Sequence, residues 1–383
     1  MYLISLCARL LYNGLRYRYY RMTGARVRPQ ALSMEITRRC VAKCIMCNIW
    51  KTPVGATELS VEEWLNLLAA PVLGDLREVD ITGGEPFLRE DIGELLAGVF
   101  NLKDGHLKHL RSVAITTNGF LTDKIFPVLS QAARAAKDKA MEIVIAFAMD
   151  GIGSVHDEIR RVKGGWERLN ESIQKTKEIR SEYGNVVIGL KTTVLPANVG
   201  ELEGIADYAN EHQLFTIISP FIVTPNRYDN ESLKSALHFS SEDIEKMLAF
   251  FKGPRFMWDY HREMLTIFLR EGRVSKPCSA GFNYFFVRSN GEVFPCPIIK
   301  QGLGSVKNDS FDRLISSPAA VKFRRIVGSY GECQLCTEPG LERYALPFEG
   351  FHYLNMCLKM GSRKFLNLHE HMGLSKYVGE RSS

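Results

Sequence analysis

This chain of 383 residues has no apolar run near the roughly 20 residues needed to cross a bilayer. It also has no internal repeat and no low-complexity tract, which excludes solenoid and linker-array architectures. Its nine cysteines are an odd number, which argues against a disulfide framework. A signal peptide is missing too. No positive charge precedes the first apolar stretch, Arg9 interrupts that stretch, and no small-residue cleavage site follows. A cytoplasmic location is therefore expected. With 45% hydrophobic and 24% charged residues, what remains is a globular chain with room for about two or three domains.

Acidic residues are absent from the first 30 positions, where Arg9, Arg16, Arg18, Arg21, Arg26 and Arg28 supply a charge of +6. That equals the net charge of the whole chain, so the remainder is close to neutral and carries no general nucleic-acid footprint. Leu3, Cys7, Leu10, Leu11 and Leu15 can share one helical face, with Arg9 and Arg16 elsewhere. Residues 1–29 would then either lie on an anionic membrane surface or pack against the main domain.

From Ala31 to about Pro220 short apolar strands alternate with amphipathic helices, the pattern of βαβ units around a parallel sheet. Six strands make a partial barrel or an open doubly wound sheet, and either puts chemistry in the loops after the strand C-termini. Those loops hold Cys40, Cys44 and Cys47, then Thr82-Gly83-Gly84-Glu85-Pro86, then Thr117-Asn118-Gly119, then Asp150-Gly151. Residues 221–276 read as a loop and helical bridge. Residues 277–357 read as a small cysteine-tied domain, and 358–383 as a tail without a clear fold signal.

Three cysteines within eight residues leave a four-ligand site one ligand short. A structural zinc would borrow a distant fourth cysteine. A cubane iron–sulfur cluster needs one ligand per iron, so three thiolates would leave one iron open.

Cys-x3-Cys-x2-Cys after the first strand, with Met46 before the third cysteine, resembles the radical S-adenosylmethionine superfamily. The likeness continues through "TGGEP", "TTNG", "HDEIRRVKGGWERL" and "TTVLPANVGEL". It implies a partial (β/α)6 barrel in which Cys40, Cys44 and Cys47 hold a 4Fe–4S cluster whose open iron chelates S-adenosylmethionine. It further implies that Gly83, Gly84 and Glu85 receive the cofactor's amino group and Arg160 its carboxylate. Thr117, Asn118 and Asn198 would contact the nucleoside, and Met46 the adenine. Two positions depart from the pattern. Ala148 stands where a serine is common, and Arg161 where a glycine usually follows the arginine, so Arg160 and Arg161 could exchange roles.

Cys278, Cys296, Cys333 and Cys336 are similar to the twitch and SPASM auxiliary-cluster domains of this superfamily. The shorter twitch form, with one further 4Fe–4S cluster on four cysteines, is the better match. Its spacing resembles the inosamine dehydrogenase of butirosin biosynthesis. Tetrathiolate zinc is the alternative. Cys357 is either a substitute ligand or a buried residue, and Cys7 an apolar filler.

Four thiolates saturate a cluster, leaving it an electron path. The resemblance thus implies a radical that abstracts hydrogen from an unactivated C–H bond, and first of all a two-electron oxidation of a small, sugar-like alcohol. Flavodoxin or ferredoxin would be the reductant. Glu35, His156, Lys191 and Tyr228 are candidate bases by location. A peptide-modifying maturase and a lipid-linked substrate at the membrane surface are the alternatives. A non-catalytic iron–sulfur carrier is the alternative of another class, and it leaves "TGGEP" and Arg160 without a purpose.

Overall fold

The computed structural model describes residues 2–51, 58–224 and 227–378. Six strands run parallel in sequence order: β1 (Ala31–Thr37), β2 (Glu78–Gly83), β3 (Ser112–Thr117), β4 (Glu142–Ala148), β5 (Val186–Val194) and β6 (Phe215–Pro220). Their side chains alternate by the two-residue period of a strand. Leu32, Met34, Ile36, Val79 and Ile81 pack outward in the core beneath the helices. Ser33, Asp80, Ala114, Val144, Lys191 and Ile217, from all six strands, surround one inner space. The sheet is therefore curled into the expected partial (β/α)6 barrel.

The first helix, α1 (Tyr2–Thr23), precedes the barrel. Helices α2 (Val61–Leu68), α3 (Ile92–Leu102), α4 (Thr122–Asp138), α5 (Ser154–Arg160), α6 (Gly165–Tyr183) and α7 (Leu202–Glu211) cover it. Ser60 caps α2 as its sequence predicts. Its hydroxyl accepts from the Glu63 amide at 3.2 Å while the Glu63 carboxylate accepts from the Ser60 amide at 2.8 Å. The bridge contains α8 (Ser241–Lys252) and α9 (Asp259–Glu271). Two residues of the loop after β6, Pro225 and Asn226, lie outside the described residues, as do 379–383 of the tail.

The cysteine-rich region does not form a sheet of its own. Strand β7 (Tyr284–Val287) pairs parallel with β1, and β8 (Glu292–Phe294) and β9 (Gly304–Ser305) continue antiparallel, giving one nine-stranded sheet. The barrel and the auxiliary region thus share backbone hydrogen bonds. Helices α10 (Phe311–Ser316), α11 (Pro318–Ile326), α12 (Gly331–Gln334) and α13 (Pro339–Glu349) follow.

The tail carries more structure than its sequence announces. After α14 (Phe351–Met360) and α15 (Ser362–His371), a short turn at Leu374–Lys376 places Lys376 Nζ 2.7 Å from Glu78 Oε2 and 2.8 Å from Ser112 Oγ. Arg343 and Tyr344 of α13 reach the same carboxylate. This buried cluster sits at the first residues of β2 and β3, so the tail closes the end of the barrel opposite the strand C-termini.

Helix α1 packs on the main body, but on a face other than the expected one. Leu6, Leu10, Gly14 and Tyr17 are buried, whereas Leu11 and Leu15 point to solvent. Gly14 is required: a Cβ there would fall about 2.0 Å from the Phe351 ring.

Candidate active site

At the C-terminal edge of the sheet the loops surround a cavity of about 130 Å3 lined by Cys40, Cys44 and Cys47. The cysteine loop is held on two sides. Lys43 and Ile45 amides donate to the Arg160 and Ile159 carbonyls, the free acceptors at the end of α5, at 3.3 and 2.9 Å. On the other side the Asn48 amide donates to the Tyr228 carbonyl at 2.8 Å, and Asn230 Nδ2 to the Met46 carbonyl at 3.0 Å. Burial pushes the bare Cys40 thiol up to about 12 and that of Cys47 to about 11, and raises Cys44 despite the neighbouring Arg160. Metal binding must therefore displace protons from these thiols.

Of the residues anticipated here, Met46, Gly83, Gly84, Thr117, Asn118 and Arg160 line the same cavity as the three cysteines. Asn118 Nδ2 lies 3.8 Å from Cys40 Sγ, and Arg160 Nη1 lies 3.6 Å from Cys44 Sγ. Gly83 and Gly84 have a more immediate reason than a bound cofactor. A Cβ on them would lie 2.4 Å from the Thr37 carbonyl oxygen and 2.2 Å from that of Arg39. Only glycine lets β2 run this close to the start of the cysteine loop.

Glu85 and Asn198 are not in the cavity lining. Glu85 is fully buried and accepts from the Thr117 hydroxyl (2.8 Å), the Asn118 amide (2.8 Å) and the Phe87 amide (3.1 Å). It ties the loop after β2 to that after β3. Asn198 accepts from the Leu195 amide and donates to the Asp150 and Thr193 carbonyls, joining the ends of β4 and β5.

Of the two arginines that could exchange roles, Arg160 lines the cavity and Arg161 does not. Arg160 is buried and pairs with Asp150, whereas Arg161 is exposed and takes the left-handed conformation (φ 54°, ψ 44°) that ends α5. That backbone geometry is what a glycine would suit. Ala148 lines the cavity where a hydroxyl was expected.

The four candidate bases separate cleanly. Lys191 and Tyr228 line the cavity; Glu35 and His156 do not. His156 Nδ1 accepts from the Asp150 amide, and burial followed by Arg160 lowers its pKa to about 3, so it is a neutral structural imidazole. Glu35 is buried with both oxygens lacking a hydrogen-bond partner, and burial raises its pKa. Lys191 is held in its charged form chiefly by Glu338, which makes it a cation rather than a proton acceptor. Arg227 is a cavity residue that the sequence does not single out within its loop. It lines the cavity, but no motif surrounds it in "TPNRYDNES".

Thr82, Thr116, Lys191 and Arg227 also line the inner space of the barrel, so the two volumes adjoin. That space reaches Pro297, Glu338 and Leu341. Leu341 in turn borders a smaller cavity enclosed by Cys278, Cys296, Cys333 and Cys336. Cys357 is not part of it and lies within hydrogen-bonding reach of Cys7. Among the described residues no three ligating side chains converge as around a single metal ion. The thiols instead border two separate cavities, and an all-sulfur donor set fits an iron–sulfur cluster.

A βα barrel with three thiols at the strand C-termini and a four-thiol annex defines a class of iron–sulfur enzyme. Residues 34–209 match the Radical SAM superfamily model, and residues 278–337 match SPASM, an iron-sulfur cluster-binding domain. The chain carries a radical SAM domain followed by a C-terminal SPASM-type domain, and 4Fe–4S clusters and S-adenosylmethionine are the cofactors of that pair of domains.

It is 23% identical over 77% of its length to the antilisterial bacteriocin subtilosin biosynthesis protein AlbA of Bacillus subtilis, of which it spans 61%. It is 25% identical over 82% of its length to the AdoMet-dependent heme synthase of Methanosarcina barkeri, spanning 89% of that protein. Among solved structures, Streptococcus suis SuiB bound to S-adenosylmethionine superposes with a TM-score of 0.57 at 16% identity, covering 91% of this chain and 78% of SuiB. No helix among the described residues is long and apolar enough to cross a membrane.

Proposed function

We propose that this chain is a peptide-modifying radical SAM maturase that abstracts hydrogen from a residue admitted at the mouth of the barrel. The observation that carries this reading is the pair of adjoining cavities that leads from the three-thiol loop, past Lys191 and Arg227, to Leu341, which borders the four-thiol annex. A substrate there lies between the two thiol sets. AlbA is named for bacteriocin biosynthesis, and SuiB, which shares the fold, has been solved bound to its precursor peptide SuiA; both support a peptide substrate.

In this reading Cys40, Cys44 and Cys47 hold the cofactor-binding cluster, and Cys278, Cys296, Cys333 and Cys336 hold the auxiliary one. When bound, these clusters and S-adenosylmethionine supply a hydrogen-abstracting radical and a nearby electron site. Arg160 offers a guanidinium to the cofactor carboxylate. Met46, Thr117 and Asn118 border the nucleoside, while Gly83 and Gly84 expose backbone to it. Lys191 and Arg227 present fixed positive charge to the substrate, and the buried loops keep water from the reacting carbon.

A second reading, oxidation of a small polar alcohol, is favoured by the charge inside the barrel, where Lys191 faces Glu338 and Asp80 is buried. The two separate by experiment. Reconstituted, dithionite-reduced protein is given S-adenosylmethionine with either a candidate precursor peptide encoded beside its gene or a panel of amino sugars and polyols. Stoichiometric 5′-deoxyadenosine with a mass change in the peptide supports the maturase. Turnover coupled to a polyol, and to no peptide, overturns it.

A further inference from the structure

We infer that helix α1 is a preformed anchor that lays the protein on an anionic membrane surface. The helix has two faces with separate duties. Its inner face is fixed to the protein through Leu6, Leu10 and Tyr17, by the Tyr17 hydroxyl donating to the Cys278 carbonyl (2.7 Å), and by Asn13 Nδ2 donating to the Pro347 carbonyl (2.9 Å). Its outer face carries Ile4, Ala8, Leu11, Leu15, Tyr19 and Met22, the four-three-four spacing of a single helical stripe. The five large residues of that stripe are 50–80% exposed. Such a row is costly to leave in water, and none of its members completes the packing of the body.

Charge identifies the occupant. Arg9 and Arg16 flank the stripe on one side, whereas Arg18 pairs with Glu349 and Arg21 lies against the Tyr17 ring toward the body; no acidic residue lies in the helix. A row of arginine beside an apolar strip, with no acidic residue to oppose it, suits a phosphate-bearing lipid surface, where Arg9 and Arg16 sink their stems and leave their charges at the headgroups. A protein partner would need a matching acidic rim, and a second copy of α1 would oppose arginine with arginine. The four arginines also bar the helix from spanning, so it lies in the plane of the surface. Because the inner face is already folded, binding costs no helix ordering. This inference is independent of the substrate of the enzyme.

The test is co-sedimentation of reconstituted protein with vesicles of phosphatidylcholine alone or with about 30% phosphatidylglycerol. Binding is expected to the anionic vesicles, to fall with added salt, and to weaken about fivefold for each of Arg9→Gln and Arg16→Gln. The double variant Leu11→Glu/Leu15→Glu should lose at least about tenfold, with iron content and absorbance spectrum unchanged. Absence of wild-type binding to anionic vesicles overturns the inference, and so does equal binding by the double variant. A wild-type dimer that the double variant converts to a monomer also overturns it, since the stripe would then be a protein interface.

Discussion

Arg160 Nη2 lies 2.6 Å from Asp150 Oδ2, and both side chains are buried. The carboxylate's other oxygen accepts from the Thr193 amide at 2.8 Å, so the ends of β4, β5 and α5 meet at one ion pair beside Cys44. Asp150 therefore positions the guanidinium that faces the three-thiol cavity. Asp150→Asn leaves that cation buried without its partner and should cost about 3–5 kcal/mol in denaturant unfolding of the iron-free chain. It should also raise the S-adenosylmethionine concentration needed for 5′-deoxyadenosine formation. Unchanged stability and unchanged cofactor dependence would remove the positioning role.

Glu85 gives a pH dependence. Burial raises its pKa to about 7 against three opposing hydrogen bonds. The folded chain thus holds a proton that the unfolded chain has released above about pH 4.5. Stability from this group is present below that value and is lost as pH rises through about 7. Unfolding of the iron-free chain at stepped pH should follow that slope. Glu85→Gln should abolish it and cost about 1–3 kcal/mol, because an amide would turn donors toward donors.

These two residues mark how far the sequence could be read. Strand alternation and cysteine spacing mark the barrel and the three-thiol loop because local pattern dictates both, whereas Arg160 is singled out only by resemblance to the family's motif. Glu85 and Asn198, expected as cofactor contacts, lie outside the cavity lining and bond to neighbouring loops, and those bonds between distant segments leave no local mark in the sequence. Arg227 and the pairing of β7 with β1 depend on contacts between distant segments, and no local signal marks them. The tail shows the same limit: a single lysine near the end of the described chain is a surface residue in sequence and a buried counter-ion in the fold.

That lysine, Lys376, shares Glu78 with Arg343. Burial alone would raise the Glu78 carboxyl, but Arg343 and Lys376 hold it well below the usual carboxylate range. Its contribution is present above the unfolded value near 4.5 and is lost as pH falls. Lys376→Met should cost about 3 kcal/mol near neutral pH, with the difference from wild type shrinking in acid. A constant difference across pH would mean that the lysine contributes packing alone.

The two cysteine sets make separable predictions for iron. With two cubane clusters the reconstituted protein should hold about eight irons per chain. Cys40→Ala/Cys44→Ala/Cys47→Ala should keep about four and lose all S-adenosylmethionine cleavage, because the open cluster is gone. Cys333→Ser/Cys336→Ser should also fall to about four irons, yet still form 5′-deoxyadenosine slowly. Cys357→Ser is the discriminating control. Cys357 is buried against Cys7 and away from the four-thiol cavity, so this variant should retain about eight irons. If it falls toward four, Cys357 is a ligand, and the four-thiol assignment fails along with the closed, electron-carrying character inferred from it.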